Sequence, residues 1–285
     1  MKVLVTGSTG FIGNHVIQYL LAHNHTVVAT SRDEAKAQTK DWYERVKYVP
    51  FDISNFPRNV NIFSHFGRPD VLIHLAWDGL SNYLDIVHIN NNLFSNYQFL
   101  KNYIESGGNH ILATGTCLEY GMRSGELDEN LIPQPECAYA VAKDSLRRFI
   151  IELQKNHIDL TFQWMRLFYM YGEGQTIKSI LPQLEAAIKS GDRVFNMSGG
   201  EQLRDYLPVH TVAEYISRVA LQKEIKGIIN CCNGTPISVR KIVEDFIKVN
   251  NYSIDLNLGY YPYPNYETMG FWGNNNKLKN ALNFC

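Results

Sequence analysis

The segment TGSTGFIG, residues 6–13, sets Gly7, Gly10 and Gly13 at even spacing between an apolar run, KVLV, and a helical stretch, FIGNHVIQYLLAHN. Glycines permit a tight turn, let backbone approach a diphosphate and let a helix pack closely on a strand. The first N–H groups of that helix add positive potential toward an anion. The spacing is GxxGxxG rather than the commoner GxGxxG, and as a bare pattern it also fits an ordinary glycine-rich turn. Its position directly after an N-terminal strand, inside a strand–helix–strand unit, makes it a phosphate cradle. Gly7, Thr9, Gly10, Phe11, Ile12 and Gly13 are then the residues expected against a dinucleotide.

The chain continues in the same rhythm. TVVATS, VKYVPFDI, VLIHLA, HILATGT and LTFQWMRLFYMYG read as strands, and LFSNYQFLKNYIESGG and AYAVAKDSLRRFIIELQKNH as helices between them. His74, within VLIHLA, is expected in a buried strand. Beyond about residue 172 the pattern loosens to helices over SILPQLEAAIKSG, VAEYISRVALQK and SVRKIVEDFIKVNN. The tail YYPYPNYETMGFWGNNNKL mixes prolines, glycines and aromatics and reads as an extended, surface-wrapping segment. The expected fold is α/β: a Rossmann-type doubly wound parallel sheet over residues 1–171, with a smaller interwoven substrate-binding part over 172–285. A length of 285 residues allows one large domain or two intimate ones.

Composition narrows the function. A net charge of -1 and 19% charged residues leave no broad basic face for a nucleic-acid backbone or an anionic membrane. No run of about 18 apolar residues occurs, and the opening MKVLVTG reads as strand and turn, not as a secretion signal, so a cytoplasmic location is expected. The cysteines (117, 137, 231, 232 and 285) have no CxxC spacing and no accompanying histidine cluster, which favours neither a disulfide framework nor a metal site. Cys117 and Cys137 are read as small packing residues.

Two further features carry chemistry. The second strand ends TVVATSR, with Ser31 and Arg32 near the point where an acid would bind the ribose 2′-hydroxyl of NAD and an arginine would accept the 2′-phosphate of NADP. NADP(H) is therefore expected in preference to NAD(H). The competing reading makes Arg32 a surface charge and lets Asp33 reach back to the ribose. In YAVAK, Tyr139 and Lys143 stand four apart and share a helix face. A phenol with pKa about 10 is a poor acid or base at neutral pH, and a neighbouring ammonium brings it toward a useful range. The plain alternative is a tyrosine half-buried in a helix packing face.

Taken together, TGSTGFIG, the strand-end hydroxyl of Thr116 and YAVAK make the chain resemble the extended short-chain dehydrogenase/reductase family of nucleotide-sugar epimerases, dehydratases and reductases. HLA at 74–76, Asn92 opening the next helix, Arg166 in RLFYMYGEGQ (family RxFNxYGPGQ) and RDYLPVHTVA from residue 204 extend the resemblance over nearly the full length. The resemblance implies that Tyr139 exchanges the proton at a sugar hydroxyl or carbonyl, Thr116 hydrogen-bonds the reacting oxygen, and Lys143 holds the nicotinamide ribose. It also implies Asp52 and Ile53 beside the adenine, Leu75, Ala76 and Asn92 along the cofactor, and Arg204 on the sugar-nucleotide diphosphate. Trp77 and Asp78, with Tyr83, would lie near the sugar; the alternative is a solvent-facing turn. Tyr169 stands where the family usually has a diphosphate-binding asparagine, and His210–Thr211 replaces its usual acid, so Tyr169 is either a substrate ligand or a packing residue.

GTCLEYG, residues 115–121, bears on the reaction. In the family's dehydratases the eliminating glutamate lies two positions after the threonine, where this chain has Leu118. Glu119 comes one residue later, which on an extended chain turns it to the opposite face; it is read as structural or as a ligand to a substrate hydroxyl. The implied function is NAD(P)H-dependent reduction of the C4 keto group of a nucleotide-linked 4-keto-6-deoxyhexose, dTDP favoured, in surface-polysaccharide synthesis. The alternatives are a 4-epimerase with tightly bound NAD and a non-catalytic NADP-sensing protein. Helices over 92–106 and 139–156, with Phe94, Tyr97, Phe149 and Ile150, correspond to those that pair in the family's dimers, and a homodimer is expected.

Overall fold

A computed structural model of the chain describes residues 1–57, 59–263 and 268–283. Its centre is a parallel sheet of β1 (Lys2–Thr6), β2 (Thr26–Thr30), β3 (Lys47–Tyr48), β4 (Val71–His74), β5 (His110–Thr116), β6 (Thr161–Leu167) and β7 (Gly227–Cys231). The strands lie in the order β3-β2-β1-β4-β5-β6-β7. The chain thus runs outward from β1 to one edge, returns, and continues from β4 to the other, the doubly wound arrangement whose reversal point lies between β1 and β4. VKYVPFDI contributes only Lys47 and Tyr48 to the ladder.

Both faces of the sheet are buried, so its strands alternate between two cores. Val3, Val5, Val27, Ala29, Val71 and Ile73 pack on one side with α1 (Phe11–Ala22) and α7 (Val209–Ala220), through residues such as Val16, Leu20, Val212 and Ile216. Leu4, Val28, Leu72 and Ile111 face the other side, against α3 (Ile62–His65), α4 (Phe94–Glu105) and α5 (Ala138–Gln154). The short α2 (Glu34–Gln38) follows β2. The division expected at residue 171 does not divide the sheet: α7 and β7 come from beyond it yet complete one helical layer and one sheet edge.

The remaining C-terminal residues form a smaller core between α6 (Ile180–Lys189) and α8 (Val239–Val249), built on Leu184, Phe195, Met197 and Val243. The chain then returns to the main body. Phe271–Gly273 pairs in parallel with Gly125–Leu127, and α9 (Asn276–Leu282) packs on α7 and β7. Part of the aromatic tail, 264–267, lies outside the described residues, as does Cys285. Ile150, expected at an intersubunit face, is fully buried in the chain's own core, whereas Phe94 and Phe149 are exposed. Among the described residues no helix is long and apolar enough to cross a membrane, and no cluster of three or more His, Cys, Asp or Glu could hold a metal ion.

Candidate active site

The C-terminal ends of β2, β1 and β4 open into a cleft of about 420 Å³. Every cofactor-side residue named from the sequence, apart from Lys143, lines it. Gly7 adopts φ +67°, and a Cβ there would stand 2.9 Å from the Ala76 backbone nitrogen. A Cβ at Gly13 would strike the Gly7 carbonyl. Gly10 caps α1 without a side chain, which leaves the first N–H groups of the helix directed at the cleft. These features fit the diphosphate of a dinucleotide, which a side chain at either glycine would displace.

At the β2 end, Ser31 Oγ lies 2.9 Å from the Tyr48 hydroxyl, and Arg32 Nη2 donates to Asp78 Oδ1 at 2.8 Å. Asp33 also lines the cleft, and its Oδ1 accepts from Lys36 N at 2.9 Å and caps α2. Thr30, which precedes Ser31 at the end of β2, also lines the cleft with its Oγ1 buried and without a protein partner, as does Lys36, which the sequence motifs do not mark. Lys36 was legible only as a basic residue four positions after Arg32. Below the cleft, Thr6 Oγ1 accepts from Leu75 N and Ala76 N and lies 2.9 Å from His74 Nδ1, while His74 Nε2 donates to Asn96 Oδ1 at 2.8 Å. Burial, then the Lys143 charge, lowers the His74 pKa to about 3, so the imidazole is neutral.

The residues expected to react lie beside this cleft on β5 and α5. Tyr139 and Lys143 share one face of α5, one turn apart. Lys143 Nζ donates to the Thr114 carbonyl at 2.8 Å and stands 4.1 Å from the Trp77 ring centroid. The Tyr139 ring stacks on Tyr83 at 5.1 Å and meets Trp77 and His88 at 6.0 and 5.3 Å. Trp77 Nε1 in turn donates to His88 Nδ1 at 3.1 Å. Trp77 therefore borders the cleft on one side and touches Lys143 and Tyr139 on the other.

The electrostatics differ from the sequence expectation. Burial raises the Tyr139 phenol well above its usual range, with Tyr83 and Glu119 adding to the rise, and burial lowers Lys143 to about 7. The lysine does not bring the phenol down here, because loss of hydration on burial is the largest effect on each group.

Thr116 ends β5 and caps a tight 3₁₀ turn, Cys117–Tyr120, that packs on α5. Its hydroxyl accepts from Leu118 N at 3.2 Å, and Glu119 Oε1 accepts from Thr116 N at 2.9 Å, a reciprocal capping box. The chain is thus no longer extended at Cys117, and the alternating-face argument does not apply to Glu119. Of the two roles left open for that residue, its partners fill the structural one. Glu119 is fully buried, with Oε2 accepting from Arg166 Nε at 2.7 Å and Oε1 from Trp164 Nε1 at 3.0 Å. Burial raises its pKa and the Arg166 charge opposes the rise. The T-x-x-E spacing of TCLE was the available sequence signal for this turn. Gly115 is required beside it, because a Cβ would overlap Trp164 Nε1 and Glu119 Oε1.

Asp78, expected near a sugar, instead faces the β2 end through Arg32, and Asn92 Nδ2 holds its carbonyl at 2.9 Å. Tyr169 packs on the small core of Cys117, Tyr120, Phe168, Cys232 and Phe271, which joins the Thr116 turn to Arg204. Arg204 is 2% exposed, with its guanidinium 4.7 Å from the Phe271 ring and 5.7 Å from the Tyr169 ring. Tyr169 also meets Tyr206 at 5.5 Å. Asp205 accepts from the backbone nitrogens of Asn233 and Gly234 and so anchors the loop after β7 to this cluster. The buried Cys231 and Cys232 thiols are raised by burial beyond reach of ionisation.

The arrangement has clear relatives. The protein is 30% identical over 273 residues to dTDP-6-deoxy-L-talose 4-dehydrogenase (NAD(+)) of Aggregatibacter actinomycetemcomitans, covering 96% of this chain and 99% of the relative. It is 24% identical over 262 residues to GDP-6-deoxy-D-talose 4-dehydrogenase of the same organism, covering 90% and 82%. Among solved structures, UDP-glucuronic acid 4-epimerase from Bacillus cereus in complex with UDP-glucuronic acid and NAD superposes with a TM-score of 0.83 at 24% identity, covering 100% of this chain and 94% of that one. The sequence profile of the NAD dependent epimerase/dehydratase family matches residues 3–232. With the cleft and the Thr116, Tyr139 and Lys143 arrangement built on that stretch, the chain belongs to the NAD dependent epimerase/dehydratase family.

Proposed function

We propose that the protein reduces the C4 keto group of a nucleotide-linked 4-keto-6-deoxyhexose, with a dTDP carrier favoured, in the synthesis of surface-polysaccharide sugars. The observation that carries this reading is the commitment of Glu119: the acid nearest Thr116 is buried on Arg166 and Trp164 and is not placed to remove a sugar proton. Hydride chemistry at a carbinol carbon is then what Thr116, Tyr139 and Lys143 support. The 4-dehydrogenase relative acts, by its name, at the same position of a dTDP-6-deoxyhexose.

The bound nicotinamide would supply the hydride. Tyr139 donates the proton to the carbonyl oxygen as negative charge develops there. The Thr116 hydroxyl, already oriented by Leu118 N, donates a second hydrogen bond to that oxygen, and both contacts strengthen in the transition state. Lys143, anchored on the Thr114 carbonyl, orients the ribose. Arg204, set beside Tyr169 and Phe271, meets the substrate diphosphate with a guanidinium suited to paired phosphate oxygens. On the cofactor side, Arg32 and Lys36 line the cleft together with Asp33, whose Oδ1 is engaged in capping α2, and the two cations support NADP(H). The relative is named for NAD(+). The exposed Phe94 and Phe149 on α4 and α5 support pairing of two copies.

The test is oxidation of NADPH and NADH by purified protein with 4-keto-6-deoxy sugars on dTDP, CDP and GDP. Consumption with one carrier supports the proposal and names the substrate. No consumption, with inversion of a fully hydroxylated sugar nucleotide, would replace it with an epimerase. Tyr139→Phe is expected to lower kcat by about 10²–10⁴-fold, the usual worth of a positioned acid. An unaltered rate in that variant would remove Tyr139 from the mechanism.

A further inference from the structure

The loops carrying Arg32 and Asp78 leave β2 and β4, the two strands that flank β1. Their 2.8 Å ion pair therefore crosses the end of β1, above the turn where Gly7 begins the phosphate cradle. Both residues line the same cleft. The Asp78 backbone is fixed from below by Asn92, so its carboxylate is presented to Arg32 from a held position. The two side chains are 55% and 53% exposed, and such a pair is weak and readily exchanged.

We propose that Asp78 sets the choice between NADP and NAD by competing with the 2′-phosphate for Arg32. Resting on the dinucleotide reading above, this goes beyond it by assigning discrimination to an acid on the loop after β4. With Asp78 in place, a 2′-phosphate must exchange a carboxylate for itself at Arg32 and then sit near that carboxylate. A 2′-hydroxyl meets neither demand. Removing the carboxylate charge frees Arg32 and favours the phosphorylated cofactor alone.

The test measures dissociation constants of NADPH and NADH by energy transfer from protein tryptophan to the nicotinamide, in the native protein, Asp78→Asn, Arg32→Gln and the double variant. Circular dichroism confirms that each variant is folded. Asp78→Asn is expected to tighten NADPH by about fivefold, the upper range of an exposed ion pair, and to change NADH by less than about twofold. In the Arg32→Gln background the same substitution should change NADPH affinity by less than about twofold. Equal tightening with and without Arg32 would overturn the competition and make Asp78 a direct repeller of phosphate. Unchanged or weaker NADPH binding in Asp78→Asn, or equal changes for both cofactors, would overturn the proposal while leaving the dinucleotide reading intact. Failure of the native protein to bind either dinucleotide would overturn both.

Discussion

Lys143 shows how a residue's place in the fold changes its chemistry. It is 2% exposed, donates to Thr114 and has its pKa lowered to about 7 by burial. An unfolded lysine, near 10.4, binds more protons than the folded one between about pH 7 and 10, so stability rises with pH across that window. Below pH 7 both states are protonated and the buried charge is a constant cost. Chemical denaturation at pH 7 and pH 9 should show a larger gain in the native protein than in Lys143→Met, by on the order of 2 kcal/mol. Equal gains would mean that the amine keeps its ordinary pKa in the folded state. The pairing of Tyr139 with Lys143 was legible from YAVAK, because four-residue spacing on a helix fixes a shared face. Their ionisation was not, because Trp77, Tyr83 and His88 come from the segment after β4, distant in sequence.

At the scale of elements, GTCLEYG is the instructive case. Hydrophobic patterning located β5 and the strand end at Thr116, but the reading carried the extended chain one turn too far. What bends it is local: Thr116 Oγ1 accepts from Leu118 N and Glu119 Oε1 from Thr116 N within a four-residue turn. What makes the turn rigid is tertiary, since Glu119 also closes on Arg166 and Trp164 of β6. Glu119→Gln keeps the shape but leaves the buried Arg166 charge uncompensated. It is expected to cost about 3–5 kcal/mol, seen as a marked fall in Tm at neutral pH. A loss under about 1 kcal/mol would show that the pair adds little beyond packing.

For the molecule as a whole, two units read along the sequence share one sheet. α7 and β7 return after residue 208 to cover α1 and extend the sheet beside β6, so the part that carries Arg204 is tied to the part that carries Tyr139 and Lys143 through the main core. Tyr97 meets Phe149 at 5.3 Å between α4 and α5, and the rings of Phe94 and Phe149 remain exposed along that pair of helices. Burying such a surface against a second copy is expected to be driven by its apolar area. Sedimentation should give a dimer for the native protein and a monomer for Phe94→Glu with Phe149→Glu. A native protein that sediments only as monomer would contradict the pairing.

The sequence by itself determined what depends on neighbours along the chain: the glycine turn after β1, the alternation of strand and helix, and the shared face of Tyr139 and Lys143. Each follows from spacing, because a strand repeats every two residues and a helix every 3.6. Only the tertiary structure decided which distant groups meet. It joined Glu119 to Arg166, set Trp77 against Lys143, turned Asp78 toward Arg32 and brought β7 back to the sheet. Burial and ion pairing at those places depend on what else fills the space, and residues dozens of positions apart fill it.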